Sequence, residues 1–368
     1  MKTAIIHDWL VSYAGSERVF EQIIKLYPDA DLFSLIDFLP EPDRQFLQHR
    51  NIQTSFLQHF PFARSKYRSY LPFMPLAIEQ FDLSRYDLVI SSSHAVAKGV
   101  LTTSDQLHVC YCHTPIRYAW DLQRQYLKES GLDKGIKGKI AQIILHYLRL
   151  WDYSASRRVD YFIANSQNVA AKIKKHYGRA ASVIYPPVDT HKFQPAAKKD
   201  DFFLTVSRMV PYKKIDLIVE AFSQIPEKRL VVIGDGPSLS KVKAKAKQNI
   251  EILGHQTDDV IRTYLQRARA FVFAADEDFG ILPVEAQACG TPVIAYEKGG
   301  VLETIMSGQT GIFFKEQTAM SLISAVQEFE RLEDSFDRNV IRQNAEKYGK
   351  DRFRKEFLDL MGKIVGDR

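Results

Sequence analysis

Short apolar runs alternate along this chain with longer stretches in which apolar residues recur every three or four positions, the pattern of an α/β protein. Thr3 to Ile6 predicts a first strand. After the turn Ala14-Gly15-Ser16, Glu17 to Leu26 predicts a helix with Val19, Phe20, Ile23 and Ile24 on one face. Tyr86 to Ser91, Leu107 to Tyr111 and Tyr161 to Ala164 predict later strands, the last followed by Asn165-Ser166, residue types that cap a helix start. Near residue 190 the texture changes. Tyr185-Pro186-Pro187-Val188-Asp189 is stiff and Ala196 to Asp201 is polar and charged, which predicts a domain boundary. A second α/β cycle follows: strands at Phe202 to Val206, Arg229 to Ile233, Ile250 to Leu253, Ala270 to Ala274 and Pro292 to Ala295, and a helix at Ile215 to Phe222. Met320 to Leu360 reads as helical and charged. The expected division is 1–190, 191–350 and a terminal helix over 351–368, with no internal repeat or low-complexity segment.

A length of 368 residues leaves room for two cores. Hydrophobic residues at 45% and charged residues at 26% are ordinary for a globular chain and exclude disordered, collagen-like and disulfide-scaffold classes. The net charge of +6 fits an anionic substrate or membrane surface and excludes a dedicated nucleic-acid binder. Three cysteines, Cys110, Cys112 and Cys289, form an odd, sparse set that points to a reducing compartment. The opening apolar run is too short for a signal-peptide core, and no uncharged stretch reaches the ~20 residues needed to span a bilayer. The longest, Ile140 to Leu150, is interrupted by Gln142, His146 and Arg149. The expectation is a cytoplasmic protein, with any membrane contact peripheral and at the inner face of the cytoplasmic membrane.

Four segments carry candidate chemistry. In Asp276-Glu277-Asp278-Phe279-Gly280-Ile281-Leu282-Pro283-Val284-Glu285, two carboxylates, Glu277 and Glu285, flank a strand-to-helix junction, with Pro283 suited to the first helical turn. The amides of Phe279, Gly280, Ile281 and Leu282 would face outward at a positive helix terminus, an anion site. Carboxylates for sugar hydroxyls beside amides for phosphate suit a sugar nucleotide; the same spacing also fits a solvated acidic loop. Ser207-Arg208-Met209-Val210-Pro211-Tyr212-Lys213-Lys214 follows the first strand of the second domain, where Arg208 and Lys213 could clamp a diphosphate or simply face solvent. Gly15, after the first strand, allows close backbone approach to a phosphate. His113, in His113-Thr114-Pro115, follows the Leu107 to Tyr111 strand at the edge where open α/β sheets bind ligands, although a lone histidine is more often structural.

Other patterns point elsewhere on inspection. Asp276-x-Asp278 matches a metal-binding pair but lies inside the acidic segment. Strand alternation would send His108, Cys110 and Cys112 to one face and His113 to the other, which argues against a zinc site. Gly234-x-Gly236 follows a strand but has Leu239 at the third glycine position of a dinucleotide fingerprint. Lys241, Lys243, Lys245 and Lys247 read as a solvated helix face. No metal or cofactor is expected.

Together the four segments resemble the retaining nucleotide-sugar glycosyltransferases of family 4, which have the GT-B fold. Glu277 and Glu285, with seven residues between them, match the family's E-x7-E motif; Arg208 and Lys213 match its diphosphate-binding pair. Gly15 matches the second glycine of its N-terminal loop, with Ala14 where the first glycine often stands, and Gly234-Asp235-Gly236-Pro237 matches a frequent turn of its donor domain. The strings Tyr111-Cys112-His113-Thr114-Pro115, Arg117-Tyr118, Trp120-Asp121, Ala275 to Gly280 and Ser91-Ser92-Ser93-His94 are similar to those of bacterial mannosyltransferases that build O-antigen and exopolysaccharide repeats from GDP-mannose. The resemblance implies two Rossmann-like domains facing a central cleft, an N-terminal acceptor domain, a C-terminal donor domain, and a last helix crossing back to the first.

It also implies roles. Glu285 would bind the ribose and Glu277 the donor sugar's hydroxyls. His113 would bond a hydroxyl of the reacting sugar, while Arg208, Lys213, the Gly15 amide and the 279–282 terminus stabilise the departing diphosphate. No covalent nucleophile stands out, which favours front-face transfer with retention, free of metal. The donor is a nucleotide sugar and the acceptor a saccharide or lipid-linked saccharide. A UDP- or dTDP-sugar transferase of the same fold, a sugar-nucleotide epimerase, a nicotinamide oxidoreductase and an inactive sugar-binding module remain alternatives. A lipid-linked acceptor would bring the protein to an anionic membrane. Two segments mix apolar and basic residues accordingly. The first is Phe56 to Met74, with Phe56, Leu57, Phe60, Phe62, Tyr67, Tyr70, Leu71 and Phe73 among Arg64, Lys66 and Arg68. The second is Lys134 to Arg158, with Ile140, Ile143, Ile144, Leu148 and Trp151. Core packing is the competing explanation for these apolar residues.

Overall fold

The computed structural model describes residues 1–366. Two compact units form: Met1–Pro186 together with the chain from Phe353 onward, and Pro187–Arg352. The division falls between two consecutive prolines, slightly ahead of the expected residue 190.

The first unit is built on strands β1 (Thr3–His7), β2 (Asp31–Ser34), β3 (Ile52–Thr54), β4 (Leu88–Ser93), β5 (Leu107–Cys112), β6 (Tyr161–Ala164) and β7 (Ala181–Val183). Their order is β3-β2-β1-β4-β5-β6-β7, and every neighbouring pair is parallel. A parallel sheet is covered on both faces, so its central strands are buried along their length and mostly apolar, with Ser91–Ser93 ending β4 and His108 within β5. Alternation along β5 decides which core each residue joins. Leu107, Val109 and Tyr111 pack with Ile5, Phe20 and Ile90, while Cys110 and Cys112 pack with Phe162, Val169 and Tyr177.

The helix Gly15–Leu26 buries Val19, Phe20, Ile23 and Ile24, as its period predicts. The final helix, Lys350–Gly366, sends Phe353, Phe357, Met361 and Ile364 into the same core. The C-terminal region is three helices rather than one run: Ala319–Leu332, Arg338–Glu346 and Lys350–Gly366. Asp337 starts the second by accepting a hydrogen bond from the Asn339 amide at 2.7 Å.

The second unit contains β8 (Phe203–Val206), β9 (Leu230–Ile233), β10 (Ile250–Gly254), β11 (Ala270–Phe273), β12 (Val293–Tyr296) and β13 (Gly311–Phe314). The order is β10-β9-β8-β11-β12-β13, again all parallel. This is the doubly wound order of a dinucleotide-binding domain, and the first unit adds one strand to the same scheme. In each sheet the winding reverses once, between β1 and β4 and between β8 and β11. The hydropathy pattern does not single out β2, β3, β7 or β13, each of three or four residues.

The long helix Gly135–Ser156 is apolar on two faces. Leu145 and Leu148 join the core, while Ile136, Ile140, Ile143, Tyr147 and Leu150, spaced four and three apart, are exposed. Leu148 and Trp151 therefore leave the expected membrane-facing set. The Trp151 ring packs where any Cβ on Gly99 would sit, and its indole N–H donates to Glu79 at 2.8 Å. Leu57 and Tyr67 are likewise core residues, whereas Phe62 and Phe73 stay exposed.

Asp152 on this helix is fully buried. One carboxylate oxygen meets the fully buried Lys98 ammonium at 2.6 Å, and the other accepts from Trp120 and Tyr177, each at 2.7 Å. Lys98 also donates to the Ala95 carbonyl at 2.7 Å. Burial alone would lower the Lys98 pKa, but Asp152 outweighs it and the net shift is upward. Removing one partner leaves a buried charge uncompensated. Lys98→Met should therefore cost about 3–5 kcal/mol. All three tryptophans, Trp9, Trp120 and Trp151, lie in the first unit, so urea unfolding followed by tryptophan fluorescence reads that unit alone. A loss well under about 1 kcal/mol would mean the pair is hydrated.

Candidate functional site

In the second unit the expected donor residues gather at the winding reversal. Arg208 leaves the end of β8 and is exposed; Glu277 leaves the end of β11 and is half-buried. Lys213 ends a short turn of 3-10 helix, Pro211–Lys213, and its ammonium pairs with the Glu277 carboxylate. Its Nζ also lies 5.5 Å from the Tyr212 ring centre. The ion pair joins the loops after the two strands that flank the reversal, where open α/β sheets take their ligands.

Gly280 is the N-cap of the helix Ile281–Ala288, in the left-handed region at φ 88°, and as a glycine it brings no capping side chain of its own. A helix start of this kind carries the positive end of the helix dipole. Phe279 anchors the turn from below, buried edge-on against Tyr348 at 5.6 Å between ring centres. Ile281 and Leu282 are half-buried, and Glu285, one turn into the helix, is 2% exposed. Asp276 pairs with Lys298 at 3.0 Å, and Asp278 is buried. Among the described residues no three His, Cys, Asp or Glu side chains are grouped to hold a metal.

Backbone contacts set these loops. Any Cβ on Gly234 would overlap the Ser207 carbonyl oxygen, and one on Gly236 would lie 2.7 Å from that of Met209. The Met209 amide donates to the Asp235 carbonyl at 2.7 Å. The Gly234-Asp235-Gly236 turn is therefore a close-fitting backing for the Arg208 loop. Gly299 and Gly300, which the motif reading passed over, do the same for the acidic loop. The Gly300 amide donates to the Glu277 carbonyl at 2.8 Å, and a Cβ on either glycine would overlap the backbone of residues 277–279. A Gly-Gly pair just after a strand was the available signal.

The first unit holds a second cluster at its own reversal. Register pairs His7, the last residue of β1, with Ser92 of β4, and His113 follows β5 directly. His7 Nδ1 is 3.1 Å from Ser92 Oγ, His7 Nε2 is 3.4 Å from Glu17 Oε1, and Ser92 Oγ is 2.9 Å from His113 Nε2. Beside them, fully buried Asp8 accepts from the amides of His94, Ala95, Val96 and Ala97 at 2.6–2.9 Å, and His94 Nδ1 lies 3.0 Å away. Burial would raise the Asp8 carboxyl, but His94 and the backbone amides outweigh it and hold it below its usual range. Burial pushes His113 well below its usual pKa, so its ring is neutral.

Gly15 is the first residue of the helix Gly15–Leu26 and follows β1 at this reversal. The adjoining Ala14 amide is already taken, donating to Glu17 Oε2 at 3.1 Å. His7, Asp8, Glu17 and Ser92 were not picked out as site residues. The signal was polar residues at the ends of otherwise apolar strands.

Two family models match: "Glycosyltransferase Family 4" over residues 14–192 and "Glycosyl transferases group 1" over residues 188–348. The chain is 30% identical over 192 residues to a D-inositol 3-phosphate glycosyltransferase of Nocardiopsis dassonvillei, covering 43% of this chain and 45% of that protein. It is 31% identical over 179 residues to a GDP-mannose-dependent monoacylated alpha-(1-6)-phosphatidylinositol monomannoside mannosyltransferase of Corynebacterium glutamicum, covering 40% and 47%. The alignments span about half the length of these curated relatives. Among solved structures, Anabaena HepE in complex with UDP and glucose superposes with a TM-score of 0.70 at 17% identity, covering 98% of this chain and all of that one. Sucrose-phosphate synthase from Thermosynechococcus elongatus superposes with a TM-score of 0.75 at 16% identity, with both chains fully covered. At such identity the likeness shows the fold, GT-B.

Gly299 tests the backing of the acidic loop. Its φ is +80°, and a Cβ would come 2.8 Å from Asp276 Oδ1 as well as onto the Glu277 carbonyl. Gly299→Ala should cost about 1–3 kcal/mol in backbone strain alone. Hydrogen exchange should quicken in peptides spanning 276–282 and leave those of the first unit unchanged. Unaltered exchange there would mean the loop holds its shape without this contact.

Proposed function

Because this chain belongs to the family 4 glycosyltransferases, we propose that it transfers mannose from GDP-mannose, with retention and without metal, to a saccharide or lipid-linked saccharide in surface polysaccharide assembly. The observation that carries the reading is the Lys213–Glu277 pair, which joins the loops that also carry Arg208 and the glycine-capped helix start at Gly280. Cleaving a sugar–diphosphate bond builds negative charge on the departing phosphate. Arg208 as a planar fork, Lys213 as a point charge and the first-turn amides at 280–282 are suited to receive it, which leaves a divalent ion little to neutralise. Glu277 takes the sugar hydroxyls, Glu285 the ribose, and His113 a hydroxyl of the reacting sugar. The similarity to a GDP-mannose-dependent enzyme supports the choice of donor.

Transfer and hydrolysis assayed across GDP-, UDP- and dTDP-sugars in EDTA test the donor and the metal together. GDP-mannose should be consumed in the chelator. Glu277→Ala should lower kcat about 100-fold or more with a smaller change in donor KM, because a contact that orients the sugar acts in the transition state. Arg208→Ala should weaken GDP binding by about tenfold or more in calorimetry, the loss of a charged hydrogen bond. Preference for a UDP-sugar would replace the donor. Inactivity in EDTA, restored by magnesium or manganese, would return Asp276 and Asp278 to a metal role.

A lipid-linked acceptor would bring the first unit to an anionic membrane. No described helix is long and apolar enough to cross one. Phe62, Phe73, Leu76, Ile136, Ile140 and Ile143 are all about half exposed or more, among exposed Arg64, Lys66, Arg68, Lys134, Lys137 and Lys139. That mixture is the composition of an interfacial surface. Flotation with vesicles should require anionic lipid, fall with rising salt, and weaken by about 1 kcal/mol per residue when Arg64, Lys66 and Arg68 become Glu. Failure to bind anionic vesicles at low salt would favour a soluble acceptor.

A further inference from the structure

The contacts around His113 form a chain with a direction. Glu17 Oε1, His7, Ser92 Oγ and His113 Nε2 follow one another at 3.4, 3.1 and 2.9 Å, and all four residues are 9% exposed or less. The Glu17 carboxyl would be raised by burial, but the His7 contact and His94 bring it below its usual value, so it is ionised and can only accept. Its partner nitrogen, His7 Nε2, must then carry a proton. With the His7 proton held on Nε2 by Glu17, Nδ1 is left to accept, and the donor it meets in the chain is the Ser92 hydroxyl. With its proton committed there, Ser92 Oγ offers a lone pair to His113 Nε2–H. A neutral His113 is left with an unprotonated Nδ1, which no group among the described residues bonds.

We infer that Glu17, His7 and Ser92 are positioning residues that hold His113 as the Nε2–H tautomer, so that Nδ1 is presented as a hydrogen-bond acceptor for a sugar hydroxyl. The strand register makes the chain possible. His7 and Ser92 are Cα partners across β1 and β4, and His113 is tied to β4 by its amide, which donates to the Ser93 carbonyl at 2.8 Å. Packing fixes the middle ring as well, since His7 stacks on Phe20 at 4.9 Å between ring centres. Asp8, His94 and the Tyr111 ring border the chain without entering it. The value of the tautomer to the reaction rests on His113 meeting the donor sugar; the tautomer itself does not.

Two-bond nitrogen–proton NMR of the full chain labelled with 15N-histidine, with His113→Gln to assign its signals, reads the tautomer directly. In the wild type, Nε2 of His113 should be the protonated nitrogen. His7→Phe keeps the stack on Phe20 but frees the Ser92 hydroxyl to donate to Nε2, so His113 should shift toward the Nδ1–H form. Ser92→Ala should give a mixture of the two and Ser92→Thr the wild-type form. A merely structural role would not move the proton from one nitrogen to the other. An Nδ1–H form in the wild type would overturn the inference, because the chain would then run the other way, from a proton on His7 Nδ1. Sugar transfer supplies the second readout. Ser92→Ala should lower kcat about tenfold with a smaller effect on donor KM, and Ser92→Thr should restore it. A tautomer change with unaltered transfer would leave the chain standing and remove His113 from the sugar.

Discussion

Parallel strands cannot be joined by tight turns, so each must be followed by a crossover that covers one face of the sheet. All strand ends of one polarity therefore lie along one edge. Where the winding reverses, the crossovers on either side depart to opposite faces and leave that edge open. Both sheets of this protein have one such seam, at β1/β4 and at β8/β11. Arg208 and Glu277 follow the two strands of one seam, His7 and Ser92 are partners across the other, and His113 follows the next strand along, β5. The order of the strands thus does for the site what no local sequence preference could do: it makes neighbours of residues as far apart in the chain as Lys213 and Glu277.

The seams are held by backbone as much as by side chains. Glycines at 234, 236, 299 and 300 stand where any Cβ would meet the backbone of the neighbouring loop. In the first unit a carboxylate does the equivalent task. Asp8 gathers four successive amides of residues 94–97, satisfying donors that would otherwise be buried without partners. Charge is placed differently in the two units. The first buries its ionic groups within networks, as at Asp152, whereas the second leaves Arg208 exposed and the Lys213–Glu277 pair only partly covered. Partly covered ions rearrange at modest cost when a charged ligand arrives; fully buried ones do not.

The helix Gly135–Ser156 obeys two demands at once. Its inner face carries Leu145, Leu148 and Asp152 into the core, and its outer face carries an apolar stripe that the fold leaves uncovered. A helix serving a core alone is typically polar outside, and this stripe is the feature on which the proposed membrane surface rests.

The sequence by itself determined the alternation of strands and helices, the existence of two units and the membership of the acidic and basic segments in one kind of site. Those features rest on local periodicity, on Gly and Pro punctuation and on motifs confined to about ten residues. The edge strands β3 and β7 were not legible, because three partly exposed residues hold too few periods to separate a strand from a loop, and β2 and β13, no shorter than strands that were read, were also passed over. Leu148, Trp151, Leu57 and Tyr67 could not be told from the exposed Ile140 and Phe62, because composition carries no information about which helix face meets a neighbour. Tertiary structure alone decided that His7, Ser92, Glu17 and His113 form one chain, and that Gly299 and Gly300 back the loop of Glu277. Both are contacts between segments distant in sequence, created when parallel strands take a register, and register is a property of the assembled sheet.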